Sequence, residues 1–257
     1  SKPMTAEQKA EGLAYAERNF REEDSHLMLD KAFIEKYYDL SGKKVLDFGC
    51  GMGGMTLWMD EHYSCDIKGI DIDHNHIEIC NILKTKLGKE HVQFILQDIV
   101  QNPLDEKFDY IFLNDVAEHI QPDYLLPIFA QLKNHLKEGG IIFVSYPPWE
   151  GPYASHLNRI FKIPWSQYWP ESIMIPKLKK RNRILVGEKD LMSEYFELNH
   201  LNHKMLKGIT EKAGLKIERR MSHCKLNKLP GLKNVNLSFF PLKYLITKEL
   251  VVLKPAN

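Results

Sequence analysis

Between Val45 and Gly54 the chain reads Val-Leu-Asp-Phe-Gly-Cys-Gly-Met-Gly-Gly, and no other stretch constrains the fold as much. Val45, Leu46 and Phe48 make a short apolar run of the kind found in a buried strand. Gly49, Gly51, Gly53 and Gly54 follow at once, and Met55, Leu57, Trp58 and Met59 then start an apolar pattern of helical character. Strand, glycine turn and helix N-terminus together bring backbone N–H groups close to a ligand, because glycine has no side chain to block the approach. Asp71 ends a second apolar run, Ile67-Lys68-Gly69-Ile70, at the distance where an acidic side chain would sit beside a ribose. The stretch therefore reads as a nucleotide-cofactor site.

The glycines alone do not choose the cofactor. Gly49, Gly51 and Gly54 satisfy the dinucleotide pattern G-x-G-x-x-G, and Gly49, Gly51 and Gly53 satisfy G-x-G-x-G. Asp47 separates the two readings. A carboxylate there would repel a pyrophosphate, yet it could receive the ammonium of an amino-acid cofactor, directly or through water. In Asp47-Phe48-Gly49-Cys50-Gly51-Met52-Gly53 the chain resembles the first motif of the class I S-adenosylmethionine-dependent methyltransferases. That resemblance implies a Rossmann-like α/β fold: a doubly wound, mostly parallel sheet closed by a C-terminal antiparallel hairpin. It also implies S-adenosyl-L-methionine as cofactor and S-adenosyl-L-homocysteine as product.

Composition bounds the other classes. At 257 residues, 44% hydrophobic and 27% charged, the chain is of ordinary globular make-up and long enough to bury a substantial core. A formal net charge of +1 gives no global field for nucleic acid or a membrane surface. Cys50, Cys65, Cys80 and Cys224 are scattered without a C-x-x-C pair, as expected of reduced thiols in a cytoplasmic protein. No apolar run reaches the ~18 residues of a membrane span, and the N-terminal residues lack the apolar core of a signal peptide.

Four segments follow from the patterning. Residues 1–41 are expected to be helical and, by the resemblance, to lie over the cofactor, with Tyr15, Arg18 or Arg21 near its carboxylate. Residues 42–146 alternate strands (44–48, 66–71, 92–96, 109–113, 140–145) with helices (54–62, 74–87, 122–137), the mark of a parallel sheet with helices on both faces. Lys137-Glu138-Gly139-Gly140 is expected to end the third helix, with a basic final turn and glycine beyond it. Residues 147–200 break the alternation and read as an aromatic-rich cap facing the substrate, stiffened by prolines that should prevent long helices. Residues 201–257 carry a helix near 203–213 and strands that complete the sheet.

In open α/β sheets ligands sit outside the carboxyl ends of the strands, so the residues there are the informative ones. After the first strand come the glycines and Cys50. After the second comes Asp71, whose oxygens can accept both ribose hydroxyls, with Ile72 flanking the adenine. After the third comes Gln97-Asp98-Ile99, where the resemblance makes Asp98 an acceptor for the adenine amino group. After the fourth comes Asn114-Asp115-Val116-Ala117-Glu118-His119-Ile120, which resembles the family's fourth motif and puts Asn114 along the methionine half of the cofactor.

The reaction implied is an in-line SN2 methyl transfer, in which positioning and desolvation do much of the catalysis. A hydroxyl acceptor needs a proton acceptor, and histidine suits neutral pH. The candidates are His156 in the cap and His119 after the fourth strand, with Glu118 and Glu150 as carboxylate alternatives. Glu118 and His119 are neighbours that point about 100° apart on a helix, so they are not expected to face one atom together. With no H-E-x-x-H pattern and no His/Cys cluster in the sequence, no metal site is expected. The expected partner is a small-molecule acceptor lined by Trp149, Tyr153 and Trp165, methylated on oxygen, and not nucleic acid. The basic run Lys177–Arg183 is a solvated face or a holder for an acidic group on the acceptor. Transfer to nitrogen, carbon or carboxylate, or to a carrier-bound intermediate, stays open. So do a nicotinamide-dependent oxidoreductase and a non-catalytic cofactor-binding subunit.

Overall fold

The computed structural model describes residues 3–21, 26–157, 161, 163–181, 190–228 and 239–256. Strands β1 (Lys44–Phe48), β2 (Asp66–Asp71), β3 (Gln93–Leu96), β4 (Phe108–Asn114), β5 (Leu136–Tyr146), β6 (Leu215–Cys224) and β7 (Ile246–Pro255) form one seven-stranded sheet in the order β3-β2-β1-β4-β5-β7-β6. The β1–β2, β1–β4 and β2–β3 pairings are parallel, and β6 pairs antiparallel with β7. The expected Rossmann-like sheet with a C-terminal hairpin is thus present. Helices α1 (Ala6–Arg21), α2 (Met28–Tyr37), α3 (Gly54–Tyr63), α4 (His74–Lys86) and α5 (Pro122–Asn134) precede β5 or flank the strands before it. Helices α6 (Glu171–Arg181), α7 (Leu191–Glu197) and α8 (His203–Lys212) follow it. No helix among the described residues is long and apolar enough to cross a membrane. All four cysteines are free thiols.

The chain divides into two compact units. Of the described residues, the first comprises those up to 114 and 130–143; the second comprises those in 115–129, 144–181 and 190–256. In the first, Val45, Leu46, Asp47 and Phe48 of β1 are all buried, so the strand is covered on both faces as central parallel strands are. Phe33 and Ile34 of α2, Leu57 and Trp58 of α3, and Phe112 and Phe143 supply much of its core. Helix α1 comes very close to the start of α3. A Cβ built on Gly54 would meet the Ala16 carbonyl oxygen at 2.4 Å and Asn19 Cβ at 2.7 Å, so only glycine fits there.

The expected end of α5 is corrected. The helix stops at Asn134, and Lys137-Glu138-Gly139-Gly140 lies in the first half of β5. His135 accounts for the early stop: its carbonyl accepts the N–H of Phe108 at 2.8 Å, and its Nδ1 lies 3.0 Å from the carbonyl of Glu106. Those bonds draw the chain into the sheet, and Gly139, at φ 76°, sits within the strand rather than beyond a helix.

In the second unit, β7 is buried from Lys248 to Leu253, and Tyr146 is fully buried. Two register shifts interrupt the β6–β7 ladder, at Ile217/Arg219 and His223/Cys224. The segment after β5 has a small core of its own: Leu157, Met174 and Leu178, with Phe161, Met192 and Tyr195 packed against it. Prolines are expected to prevent long helices here, and α6, eleven residues with Pro176 inside, is the longest helix described in the segment. The carbonyl that Pro176 leaves without an intrahelical donor belongs to Ser172, which is exposed, so water can satisfy it. Of the basic run 177–183, residues 182 and 183 lie outside the described residues.

Candidate functional site

In the first unit the polar groups gather at the carboxyl ends of β1, β2, β3 and β4. The Gly49 and Cys50 N–H groups both donate to the Ile70 carbonyl, at 2.8 and 3.0 Å, which ties the start of the glycine loop to β2. Gly49, Gly51 and Gly53 have φ of 68°, 53° and 82°. A Cβ on Gly51 would meet nothing within 4 Å, whereas one on Gly53 would meet Cys80 Sγ and Phe94 at 2.9 Å. Gly51 thus borders open space, and Gly53 is buried against side chains. Asp71 is held by two backbone donors: Gly51 N–H gives to Oδ2 at 2.9 Å and Asp73 N–H to Oδ1 at 2.8 Å. Each oxygen keeps a second lone pair for another donor. Ile72 is 77% exposed, an unusual place for a large apolar side chain.

Asp47 is 2% exposed. Thr56 Oγ1 donates to its Oδ2 at 2.6 Å, and Asn114 Nδ2 lies 3.5 Å from Oδ1. Burial pushes its carboxyl up to about 7, against the pull of those two hydrogen bonds. Asn114 Oδ1 is buried and has no hydrogen-bond partner among the described residues. Asp98 Oδ1 caps the next turn, accepting from Val100 N–H at 2.9 Å and Gln101 N–H at 3.3 Å. Ile99 is 1% exposed, so its side chain belongs to the core. Cys50 is also buried, and burial holds its thiol well above the ordinary value.

In the second unit, residues 117–119 form a short 3-10 turn after β4. Asn199 clamps it: its side-chain amide donates to the carbonyls of Ala117 and Ile120, both at 2.7 Å, and its N–H donates to Glu118 O at 3.0 Å. Asp115 Oδ2 accepts from Lys248 Nζ at 2.8 Å. Glu118 Oε1 and His119 Nε2 are 4.0 Å apart. The His156 ring centroid lies 5.0 Å from that of His119. One donor atom each from Glu118, His119 and His156 lies within 4.8 Å of the other two. His156 Nδ1 is 3.1 Å from Glu194 Oε1.

This convergence corrects the expectation that Glu118 and His119 could not face one point. The 100° rule fixes where Cβ atoms leave the backbone, not where a glutamate with three side-chain torsions ends. The expectation of no metal site also missed a cluster that exists only in space, with His156 contributed from the segment after β5. Glu194 and Asn199 were missed altogether; neither stands in a motif, and a single Glu or Asn carries no signal of its partner. Of the other candidates, Glu150 Oε1 lies 3.7 Å from Lys243 Nζ. Trp149 stacks on His200 with ring centroids 3.8 Å apart. Trp165 Nε1 donates to the Tyr244 carbonyl at 2.9 Å, and Lys225 Nζ donates to the Tyr153 hydroxyl at 2.6 Å.

Comparison with known proteins gives the family. Residues 20–219 match a family described as a methyltransferase domain. Phosphoethanolamine N-methyltransferase 3 of Arabidopsis thaliana is 33% identical over 142 residues, which cover 53% of this chain and 28% of the plant enzyme. The chain thus spans well under two-thirds of that relative. Malonyl-[acyl-carrier protein] O-methyltransferase 2 of Ilyobacter polytropus is 29% identical over 191 residues, 72% of each chain. The crystal structure of a S-adenosylmethionine-dependent methyltransferase from Clostridium acetobutylicum superposes with a TM-score of 0.58 at 14% identity, covering 94% of this chain and 92% of that one. A glycine loop braced by Asp71, the seven-stranded sheet and a family match over most of the sequence agree: the chain belongs to the class I S-adenosylmethionine-dependent methyltransferases.

Proposed function

We propose that this chain methylates a hydroxyl of a small-molecule acceptor, using S-adenosylmethionine as methyl donor and His156 as proton acceptor. The residues of the first unit fit the cofactor. Open space beside Gly51 leaves room for it, Asp71 offers its remaining lone pairs to ribose hydroxyls, and exposed Ile72 offers an apolar face to adenine. The orphaned Asn114 Oδ1 suits an ammonium donor, with Asp47 behind it as a charge partner of raised pKa. Asp98 keeps Oδ2 for the adenine amino group while Oδ1 caps its turn. Gly49, Cys50, Gly53 and Ile99 then contribute backbone and packing. When bound, the cofactor supplies an electrophilic methyl group that leaves a neutral thioether as it passes to the acceptor oxygen.

The oxygen reading is carried by one observation, the His156–Glu194 pair. A carboxylate on Nδ1 fixes the neutral ring with its proton there, which leaves Nε2 as the basic atom. An oxygen acceptor with a raised hydroxyl pKa needs that base; a carboxylate or a neutral amine does not. His119 and the buried Glu118 carboxylate stand beside it to stabilise the imidazolium that results. Trp149, Tyr153 and Trp165 are the apolar wall proposed for the acceptor. The test is a panel of phenols, alcohols, carboxylic acids and amines incubated with methyl-labelled cofactor and read by mass spectrometry. Methyl ethers are expected. Products methylated only on nitrogen, carbon or carboxylate would overturn the oxygen reading.

A further inference from the structure

The cluster after β4 offers two imidazoles and one carboxylate, whose donor atoms lie within 4.8 Å of one another. We propose that Glu118, His119 and His156 bind one divalent transition-metal ion and that the ion holds the acceptor oxygen. The inference rests on the reading that this cluster activates a hydroxyl.

The donor set points to the class of ion. Two histidines and one glutamate suit Zn²⁺, Fe²⁺ or Mn²⁺; hard Mg²⁺ and Ca²⁺ prefer oxygen donors throughout. Three protein ligands leave coordination positions for water or substrate, as in catalytic rather than structural sites. Binding would draw the donors together to about 3.4 Å, the spacing of ligands ~2.1 Å from one tetrahedral centre. Side-chain torsions can supply that contraction.

Two features outside the donor set agree with it. Glu194 sits on Nδ1 of His156, which leaves Nε2 as the ring atom available to a metal; a carboxylate behind a ligating histidine is the usual support of such sites. Asn199 fixes the turn that carries Glu118 and His119 through its bonds to the Ala117 and Ile120 carbonyls. Glu118 in the donor set and Glu194 behind it together carry the charge that a dication balances. Asp115 is held by Lys248 and stays outside the set.

With the ion in place His156 Nε2 is taken up as a ligand, and the proton-accepting role given to it in the metal-free reading passes to water. The metal lowers the pKa of the bound hydroxyl, the O–H bond breaks with its proton leaving to water, and the oxygen keeps the electron pair that attacks the methyl group.

The test uses the full chain, stripped with a chelator and titrated with Co²⁺ as an optical probe. One equivalent should bind with visible d–d bands, and Zn²⁺ should displace it while millimolar Mg²⁺ should not. His156→Ala and His119→Ala should each weaken binding ~100-fold or more. Glu194→Gln, at a positioning residue, should weaken it roughly 10- to 100-fold and shift the bands. His91→Ala, at an exposed histidine of the first unit, should change nothing. S-adenosylhomocysteine affinity, a property of the first unit, verifies that each variant is folded. Absence of one-to-one binding, or undiminished binding in a folded His156→Ala protein, would overturn the ion. Co²⁺ bound as expected but no hydroxyl methylated would overturn the oxygen reading and leave the ion standing.

Discussion

The two units hold their polar groups in different ways. In the first, apart from the Thr56–Asp47 pair, side chains at the strand ends brace backbone: Asp71 takes the N–H groups of Gly51 and Asp73, and Asp98 takes that of Val100. In the second, distant side chains clamp backbone, as Asn199 and Trp165 do, and also brace other side chains. Glu194 holds His156, Lys248 holds Asp115, and Arg220 and Ser222 both donate to Glu249. A backbone brace keeps its geometry as long as the local turn forms. A side-chain brace disappears with either partner and leaves the other without its counter-charge. Substitutions in the second unit should therefore strike chemistry hard, and those in the first should strike affinity.

The largest expected effect tests that division. His156→Ala, which removes the proposed base and the proposed ligand alike, should lower turnover by ~100- to 10,000-fold and leave cofactor affinity nearly unchanged. Equal losses in both, measured by turnover and by calorimetry, would show that the units do not divide the work. Gly51→Val comes next. It places a branched side chain in open space at a φ of 53° that costs such a residue ~1–2 kcal/mol, and should remove detectable cofactor binding from a folded protein. Retention of wild-type affinity would mean that no ligand approaches the loop.

Asp71→Ala should weaken the cofactor about 10- to 150-fold, corresponding to ~1.5–3 kcal/mol for hydrogen bonds to a charged group. Turnover at saturating cofactor should change far less; a proportional loss there would erase the distinction between the units. Asp47 sharpens the comparison through pH. Its folded carboxyl titrates at about 7 while the unfolded one titrates near 3.8, so between those values the unfolded chain has lost a proton that the folded one keeps. This contribution to stability is full below pH ~4 and falls as pH rises to 7, at most by about 1.4 kcal/mol per pH unit. Urea titrations of Asp47→Asn should lack that slope; an unchanged slope would assign it to another group. The smallest effect is expected of Asn199→Ala, which removes two bonds to turn carbonyls and should cost about 1–3 kcal/mol of stability with a matching fall in turnover. A drop in cofactor affinity instead would tie Asn199 to the wrong unit.

The same contrast accounts for what the sequence reveals. The first unit's fold was legible because its signals are local: β1, the glycines, α3 and Asp71 lie within 28 residues of chain, and the first two strands have the expected bounds. The end of α5 was not, because a glycine pair that looks like a helix stop is overridden by His135 bonding to residues 106 and 108. Glu118, His119 and His156 could be named as residues of suitable chemistry. Their meeting point could not, since it depends on where the cap returns to the turn after β4. Glu194 and Asn199, whose roles are only to hold others, left no trace in the pattern.

Asn199 also sets a schedule. It closes the 117–120 turn from 82 and 79 residues downstream, whereas every residue assigned to the cofactor lies at or before Asn114. A ribosome adding ~5–20 residues per second delivers Asn199 several seconds after Asn114. During that interval the growing chain carries the residues proposed for the cofactor without the clamp that shapes Glu118 and His119. The residues proposed to hold the methyl donor are thus synthesised before the residue that shapes those proposed to use it.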